Sequence, residues 1–271
     1  MSLLDEKVAI VTGSGRGIGQ ATARLLSEHG ARVLIHDLEA EAAEASAAGM
    51  PGESATLAGD ITAPEMPDVL VEATLERWGR VDILVNCAGY NLDAAIHKMT
   101  DEQFQRMLDI HTVAPFRMIR AVAPHFREQA KVERANGVEI FRKIVNVSSI
   151  AGTVGSDGQA NYSAAKAGLI GLTLATAKEW ARFRVNCNAV APGLTDTRLT
   201  REQGPESTIT LGNDEIPLGL PPAMREAVTQ QIGFQRPGKP EEVAGAVFYF
   251  CTPWSNYVTG QVLTVAGGLP G

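Results

Sequence analysis

The sequence has few of the features that mark secreted or metal-binding proteins. It contains only three cysteines in 271 residues, and Cys87, Cys187 and Cys251 lack the spacing of metal ligands. An odd number of widely separated cysteines is typical of reduced, mostly packed thiols in a cytoplasmic protein. We therefore predict neither a disulfide framework nor a metal site.

Long apolar runs and clustered positive charges are also lacking. No run approaches the ~20 apolar residues of a membrane span. The N-terminal stretch MSLLDEKVAIVTG has neither the basic region nor the long apolar region of a signal peptide. The net charge is −7 with both signs interspersed, which gives no basic footprint for nucleic acid. We expect a cytoplasmic protein that binds neither membranes nor nucleic acid.

What the sequence does contain suits one large α/β domain. Aromatic residues make up only 6% of the chain, whereas 45% is hydrophobic and 27 residues are glycine. The length fits a single domain, and small residues favour close packing of helices on a sheet. We predict one domain over residues 1–271.

Short apolar runs alternate with amphipathic stretches along the chain. The predicted strands are KVAIVTG, RVLIHD, Ser54–Gly59, VDILVN, KIVNVS, RVNCNAV and QVLTVAG. The predicted helices are Gly17–His29, Glu39–Ala48, Pro67–Trp78, Asp101–Phe126, Gln159–Ala181 and Pro240–Phe250. Continuously apolar strands joined by helices predict a parallel sheet covered on both faces.

Two stretches interrupt this alternation. Arg127–Arg142 is charged and polar, and either extends the preceding helix or forms a surface loop. Leu199–Pro222 is rich in glycine and proline, which argues against one regular element. Because long irregular segments inside a domain are often binding loops, we predict a substrate lid at about 194–225; a decorative insertion is the alternative.

A glycine-rich run, VTGSGRGIG, follows the first strand and begins the first helix. Its spacing is Gly13-x3-Gly17-x-Gly19, which is neither GxGxxG nor a P-loop. Glycine permits a tight turn and close backbone approach, and a helix N-terminus presents N–H groups to a pyrophosphate. A simple turn is the alternative for this run alone.

Asp37 strengthens the interpretation as a dinucleotide loop. It ends the second strand, twenty residues after Gly17, where a carboxylate can accept both hydroxyls of an adenosine ribose. It can also cap the helix that begins near Glu39, and the two roles are compatible.

Three polar residues follow in the order expected of a catalytic group. Tyr162 and Lys166, in NYSAAKAG, lie at i and i+4 on one helix face. Ser149 lies at the end of the strand KIVNVS, thirteen residues before Tyr162. Each residue alone is more often structural. Together, at carboxyl ends of strands and after a nucleotide loop, they are candidate catalytic residues.

These motifs resemble the short-chain dehydrogenase/reductase family. The resemblance rests on TGSGRGIG, NCAG at 86–89, Ser149, YSAAK and the Pro192-Gly193 pair, and it runs from Lys7 to about Gly268. It implies a Rossmann-type, doubly wound sheet of seven parallel strands in the order 3-2-1-4-5-6-7. It also implies a nicotinamide cofactor, hydride transfer between an alcohol and a carbonyl, and assembly as a homotetramer or homodimer.

The resemblance assigns roles to the catalytic group. An unperturbed tyrosine titrates near ~10. The Lys166 ammonium and a positive nicotinamide ring would favour the phenolate, and a shift to ~7 needs roughly 4 kcal/mol. Tyr162 would then exchange the proton of the alcohol, and Ser149 would hydrogen-bond the substrate oxygen. By the same resemblance Lys166 also holds the nicotinamide ribose.

Further cofactor-binding residues follow from the matching motifs. They are Gly13, Gly15, Arg16, Gly17, Ile18 and Gly19 in the loop, Asp37 and Leu38 after the second strand, Asp60 and Ile61 near the adenine, Asn86, Ala88 and Gly89 beside the ribose, and Pro192, Gly193, Thr195 and Thr197 along the nicotinamide and pyrophosphate.

One position departs from the family pattern. His111, in Asp109-Ile110-His111-Thr112, stands where the family usually has an asparagine that kinks the helix and helps a water connect the lysine to solvent. Histidine donates, accepts and titrates near neutral pH. We predict that His111 replaces this asparagine in the proton relay and that activity survives. A packed or capping histidine with an impaired relay is the alternative.

Two charged residues bear on the choice of nucleotide. A basic residue at the position of Arg16 is common in NADP-using relatives. Asp37 opposes a 2′-phosphate by about 1 to 4 kcal/mol at effective dielectric constants of 80 to 20. Leu38 stands where NADP users often supply a second basic group. We therefore predict NAD(H), with Arg16 as a solvated charge that tolerates either cofactor.

The main functional prediction is an NAD(H)-dependent oxidoreductase that acts on a small-molecule secondary alcohol or ketone. An NADP(H)-dependent 3-oxoacyl-thioester reductase is the alternative, because GQANYSAAKAGLIG resembles such enzymes. A different class is a non-catalytic dinucleotide-binding scaffold or sensor, which His111 alone suggests.

Overall fold

The computed structural model describes residues 2–202, 208–211 and 214–269. Three of the residues that suggested an irregular lid, Gly204, Pro205 and Gly212, lie outside these ranges. The fold is built on a sheet of seven parallel strands: β1 (Val8–Thr12), β2 (Arg32–Asp37), β3 (Ser54–Ala58), β4 (Ile83–Asn86), β5 (Arg142–Val147), β6 (Val185–Pro192) and, after the lid, β9 (Val262–Val265). Their spatial order is β3-β2-β1-β4-β5-β6-β9, which confirms the predicted order of seven sheet strands.

The helices that cover this sheet are α1 (Gly17–Glu28), α2 (Ala40–Ala48), α3 (Met66–Trp78), α4 (Asp101–Leu108), α5 (Ala114–Ala135), α6 (Ala151–Val154), α7 (Ala160–Trp180), α8 (Pro222–Gln231) and α9 (Pro240–Cys251). No helix in the described ranges is both long enough and apolar enough to span a bilayer.

The central strands β1, β4, β5 and β6 are buried at every position because both faces of the sheet are covered. Successive side chains point to opposite faces, so Ile10 of β1 packs on one side and its neighbours Ala9 and Val11 on the other. One apolar cluster joins the sheet to α3, α4, α5 and α7, and the second joins it to α1, α2 and α9. Full burial of an aliphatic side chain contributes ~1.5 to 3 kcal/mol.

The long helical stretch before β5 is interrupted by a wider turn. Residues Asp109–Val113 form a π-helical turn between α4 and α5. Such turns insert one extra residue and occur frequently at functional sites. The helix then continues past Phe126 to Ala135, so most of Arg127–Arg142 extends the helix, the first of the two predicted alternatives.

The predicted lid contains regular structure. A two-stranded antiparallel sheet, β7 (Thr208–Leu211) with β8 (Asp214–Pro217), lies within it, and α8 follows. The glycine and proline content argues against one regular element, and the segment is divided among several short ones. The dipeptide Gly-Asn at 212–213 is a hairpin signal that was available in the sequence.

The order of the strands positions the site. The chain leaves β1 toward β2 and β3 on one side and continues through β4 on the other, so β1 and β4 are neighbours at the point where the order reverses. In open parallel sheets, ligands bind outside the carboxyl ends of the strands at this point.

Candidate active site

A cavity of about 480 Å³ lies at the carboxyl ends of the strands. The cavity is lined by the glycine loop, by the ends of β2 and β3, and by the segments after β4, β5 and β6. Helix α7 and the lid complete its lining. The lining residues include Gly13, Gly17, Ile18, Gly19, Asp37, Leu38, Asp60, Ile61, Ala88, Gly89, His111, Ser149, Tyr162, Lys166, Pro192, Gly193, Thr195 and Thr197.

The glycine loop has the shape that a pyrophosphate requires. Gly13 has φ +64°, and a Cβ there would lie 2.5 Å from the Cα of Ala88. At Gly19 a Cβ would overlap the carbonyl oxygen of Gly13. Arg16 is the N-cap of α1 but makes no side-chain cap, so the first turn of the helix presents its N–H groups toward the cavity. These features fit the phosphates of a dinucleotide.

Asp37 is fixed by two backbone groups. Its Oδ2 accepts a hydrogen bond from the Gly15 N–H at 2.9 Å, and its Oδ1 accepts one from the Glu39 N–H at 3.3 Å. Gly15 itself does not line the cavity; it holds the carboxylate. Asp37 thus bonds the N-cap residue of α2, not the first turn of that helix, and it lines the cavity. Its predicted contact with the ribose hydroxyls stays a prediction.

Arg16 is partly exposed, and it also forms an ion pair that was not predicted. Its Nη2 lies 2.8 Å from Oε2 of Glu39. The second oxygen of the same carboxylate, Oε1, lies 3.3 Å from Nη2 of Arg198, which belongs to the lid. Glu39 was not predicted as a residue of this site, and Arg198 was predicted only as part of the lid. Glu39 and Arg198 lie 159 positions apart in the sequence, so no local sequence pattern predicts their ion pair.

Asn86 ends β4 and precedes the segment that lines the cavity. It is buried, its Nδ2 donates to Oδ1 of Asn146 at 2.8 Å, and it is not among the residues that line the cavity. Its predicted place beside the ribose stays a prediction. Ala88 and Gly89 do line the cavity. They are positioned by Thr12, whose Oγ1 accepts from the Cys87 and Ala88 N–H groups at 3.1 and 3.2 Å.

The candidate catalytic residues come together from two elements. Ser149 follows β5, and its Oγ accepts from the Ala151 N–H at 3.1 Å. Tyr162 projects from the first turns of α7. Burial raises the pKa of Tyr162 to about 12, and a hydrogen bond with Ser149 opposes that rise. The phenol is therefore protonated at neutral pH.

Lys166 lies one turn further along α7. Its Nζ donates to the Val147 carbonyl at 2.7 Å and lies 5.5 Å from the centre of the Tyr162 ring. Burial lowers the pKa of Lys166 to about 8. In the protein alone the loss of hydration thus outweighs the attraction between ammonium and phenolate, and the expected shift of the Tyr162 pKa to ~7 is absent.

His111 lies in the π-helical turn against this group. Its Nε2 is 2.7 Å from the Tyr90 carbonyl oxygen, which can only accept, so the ring proton is on Nε2. Burial, followed by the charge of Lys166, holds the pKa of His111 well below its usual range. Its Nδ1 therefore carries a lone pair, and this atom is buried without a hydrogen-bond partner in the described part of the chain.

The glycine beside His111 leaves room for the imidazole. A Cβ at Gly89 would overlap Cε1 of His111 and lie 2.8 Å from its Nδ1. The family pattern NxAG thus places its last residue where any side chain would displace the histidine. The predicted part of His111 in a proton relay stays a prediction.

The lid completes the far wall of the cavity. Leu199, Ile209 and Leu218 line it, together with Ile110 from the π-helical turn. Leu199, Ile209 and Leu218 belong to the predicted lid, whereas Ile110 was not predicted as part of the site. Their side chains make one part of the cavity wall apolar, and Asp37 and Arg16 make another part charged.

Comparison with known proteins agrees with this geometry. The family model described as Enoyl-(Acyl carrier protein) reductase matches residues 13–270. The 3-oxoacyl-(acyl-carrier-protein) reductases FabG of Thermotoga maritima and Vibrio cholerae are 35% and 36% identical to the chain, each over 98% of both chains. A 3-oxoacyl-(acyl-carrier-protein) reductase of Synechocystis sp. is 35% identical over 99% of both chains. These matches confirm the resemblance: the chain belongs to the short-chain dehydrogenase/reductase family of oxidoreductases.

Proposed function

We propose that the protein interconverts 3-oxoacyl and 3-hydroxyacyl thioesters with NAD(H) as the hydride carrier. The observation that carries the proposal is the group of Ser149, Tyr162 and Lys166, which opens onto the same cavity as the glycine loop. The names of the relatives favour a 3-oxoacyl thioester, which was the alternative prediction, over an unspecified secondary alcohol or ketone.

The residues divide the chemistry between them. When bound, the nicotinamide supplies or accepts the hydride. Tyr162 gives its hydroxyl proton to the ketone oxygen in the reducing direction. Because burial raises its pKa to about 12, it holds that proton at neutral pH, which favours reduction. Ser149 donates a hydrogen bond to the same oxygen as negative charge develops there. The Lys166 ammonium stabilises the tyrosinate that remains.

The apolar wall suits the substrate. A 3-oxoacyl thioester carries an alkyl chain beyond its ketone, and burial of each methylene contributes about 0.8 kcal/mol. Ile110, Leu199, Ile209 and Leu218 provide the apolar surface for such a chain.

The preference for NAD(H) rests on this chain's own residues, since the names of its relatives state no cofactor. Asp37 faces the cavity with both oxygens held by backbone N–H groups. Such a carboxylate accepts hydrogen bonds from ribose hydroxyls and repels a 2′-phosphate. Leu38 adds no cation.

The test is a panel of acetoacetyl and 3-oxooctanoyl thioesters, cyclic ketones and diols, assayed with NADH or NAD⁺ and with NADPH or NADP⁺. We expect the thioesters to give the highest kcat/KM, with NADH favoured. Tyr162→Phe should lower kcat at least about 100-fold and leave NADH binding intact. A preference for NADPH would refute the cofactor assignment, and turnover confined to cyclic ketones or diols would refute the substrate class. Tight NADH binding without turnover would favour a non-catalytic scaffold.

Assembly and location belong to the same proposal. Trp254, Tyr257 and Leu263, in and before the last strand, expose large apolar surface, which a homodimer or homotetramer would cover. The cysteines are free thiols, as expected in the reducing cytoplasm. Light scattering on the purified protein measures the assembly, and a monomeric mass would contradict it.

A further inference from the structure

Glu39 holds two arginines from opposite sides of the adenosine end of the cavity. One carboxylate oxygen contacts Nη2 of Arg16 at 2.8 Å, and the other contacts Nη2 of Arg198 at 3.3 Å. Arg16 precedes the first helix, whereas Arg198 lies in the lid. All three residues line the cavity beside Asp37 and Leu38.

We propose that Glu39 is a specificity-determining residue: by pairing Arg16 and Arg198, it withholds from a 2′-phosphate the two guanidinium groups of this part of the cavity. The inference rests on the proposed function, because it concerns which nucleotide the enzyme uses. Glu39 is then a second determinant of nucleotide choice besides Asp37. It acts by holding the two arginines and not by contacting the ribose.

The charges explain why the pairing matters. Asp37 and Glu39 carry two negative charges, and Arg16 and Arg198 carry two positive charges, so these four charges cancel; Asp60 and Glu41 add further negative charge nearby. A 2′-phosphate adds further negative charge and needs a guanidinium to neutralise it. To obtain one it must separate an arginine from Glu39, whose released carboxylate then repels the phosphate. A ribose with two free hydroxyls needs no cation and leaves both ion pairs in place.

The same geometry predicts that Glu39 can be changed without harm to the fold. Its side chain is 39% exposed, and exposed ion pairs contribute little to stability. Glu39 is the N-cap of α2 but makes no side-chain cap there. Loss of the carboxylate therefore removes no capping bond.

The experiment measures the dissociation constants of NADH and NADPH by calorimetry, so that binding is read without turnover. Glu39→Gln should lower the ratio of the NADPH dissociation constant to the NADH dissociation constant about tenfold, mainly because NADPH binds more tightly. An effect of this size is expected when one nearby charge is removed. The matched control is Glu41→Gln, an exposed acid in the first turn of the same helix. It should change the ratio less than about twofold, since net charge alone acts weakly in solvent.

Two double variants identify the cations. In Glu39→Gln/Arg16→Ala and in Glu39→Gln/Arg198→Ala, part of the gain in NADPH binding should disappear. The inference is overturned if Glu39→Gln leaves the ratio within about twofold of the parent, if Glu41→Gln changes it equally, or if neither arginine removal reduces the gain.

The parent protein separates this inference from the proposed function. A parent that binds NADPH more tightly than NADH contradicts the assignment of NAD(H), whatever Glu39→Gln does. The change caused by Glu39→Gln tests only the pairing of the arginines.

Discussion

The imidazole of His111 stands edge-on to the phenol ring of Tyr162, with ring centroids 4.9 Å apart and planes at 89°. The histidine is neutral, its Nε2 proton is used by the Tyr90 carbonyl, and its Nδ1 lone pair is left to accept a hydrogen bond. A neutral acceptor this close to the proposed acid can take part in moving the proton that Tyr162 gives up.

His111→Asn tests whether the histidine serves the relay. If His111 does the work of the family's asparagine, kcat of the variant should stay within about threefold of the parent. Substitution by leucine, which neither donates nor accepts, should lower kcat at least about tenfold. A large rise of kcat in the asparagine variant would show that His111 impairs the relay.

Gly89→Ala should destabilise the protein through His111. The added methyl group would overlap the imidazole, and overpacking of this kind costs about 1 to 3 kcal/mol. In a His111→Ala background the same change should cost much less, since the obstructing ring is gone. Urea unfolding of the four proteins measures this coupling, and additive effects would contradict the contact.

His111 should also make stability depend on pH. Its folded pKa lies well below the value of about 6.5 in the unfolded chain, so below that pH the unfolded state binds more protons. Stability is then lost as pH falls. Between pH 7 and pH 5 the parent should therefore lose more stability than His111→Asn, by at most ~1.4 kcal/mol for each pH unit. Equal losses would show that His111 takes up its proton as easily in the folded protein.

Two buried lysines allow a matched test of how their hydrogen bonds affect the stability of the fold. Burial lowers the pKa of both Lys166 and Lys143 to about 8. Lys166 donates to one carbonyl, whereas Lys143 donates to Asn186, Ser255 and Asn256 at 2.8 to 3.1 Å. Lys166→Met should therefore stabilise the fold at pH 7 by about 1 to 3 kcal/mol, and Lys143→Met should destabilise it by about 2 to 5 kcal/mol.

The pH dependence of this pair has a defined sign. Between pH 8 and about 10.5 the unfolded lysine keeps a proton that the folded Lys166 has lost, so the stability of the parent rises with pH. The advantage of Lys166→Met should fade over that interval. Thermal unfolding at pH 7 and pH 10 measures it, and an advantage that grows with pH would contradict the lowered pKa.

Ile209→Ala tests the apolar wall. Removing part of the side chain should lower kcat/KM for a 3-oxooctanoyl thioester about 5- to 30-fold relative to acetoacetyl thioester, because only the longer chain reaches the wall. Val132→Ala, at an exposed apolar position on α5, is the control. An unchanged ratio of the two substrates would show that the chain lies elsewhere.

Most of the fold could be predicted from sequence because the strands are buried on both faces. A strand such as β1 or β4 is apolar nearly throughout, and the helices between the strands supply the alternation of a parallel sheet. The β7–β8 hairpin could not be predicted in the same way. Its strands are short, and the surrounding prolines and glycines outweigh their weak pattern.

The site was predictable in position but not in side-chain direction. The motifs placed Asn86 after the correct strand, yet its amide bonds Asn146 inside the sheet. Likewise Arg16 was located, but its partner Glu39 was not. A motif gives the place of a residue along the chain, whereas its orientation depends on neighbours that are distant in sequence.

The three hydrogen bonds of Lys143 also order the events of chain synthesis. Its ammonium is buried in β5, but Ser255 and Asn256 follow it by 112 and 113 residues. A nascent chain that has reached only β6 carries a lysine charge with two of its acceptors still unmade. The ammonium can therefore make all three hydrogen bonds only after almost the whole protein has been translated, which makes the completion of this site a late step of folding.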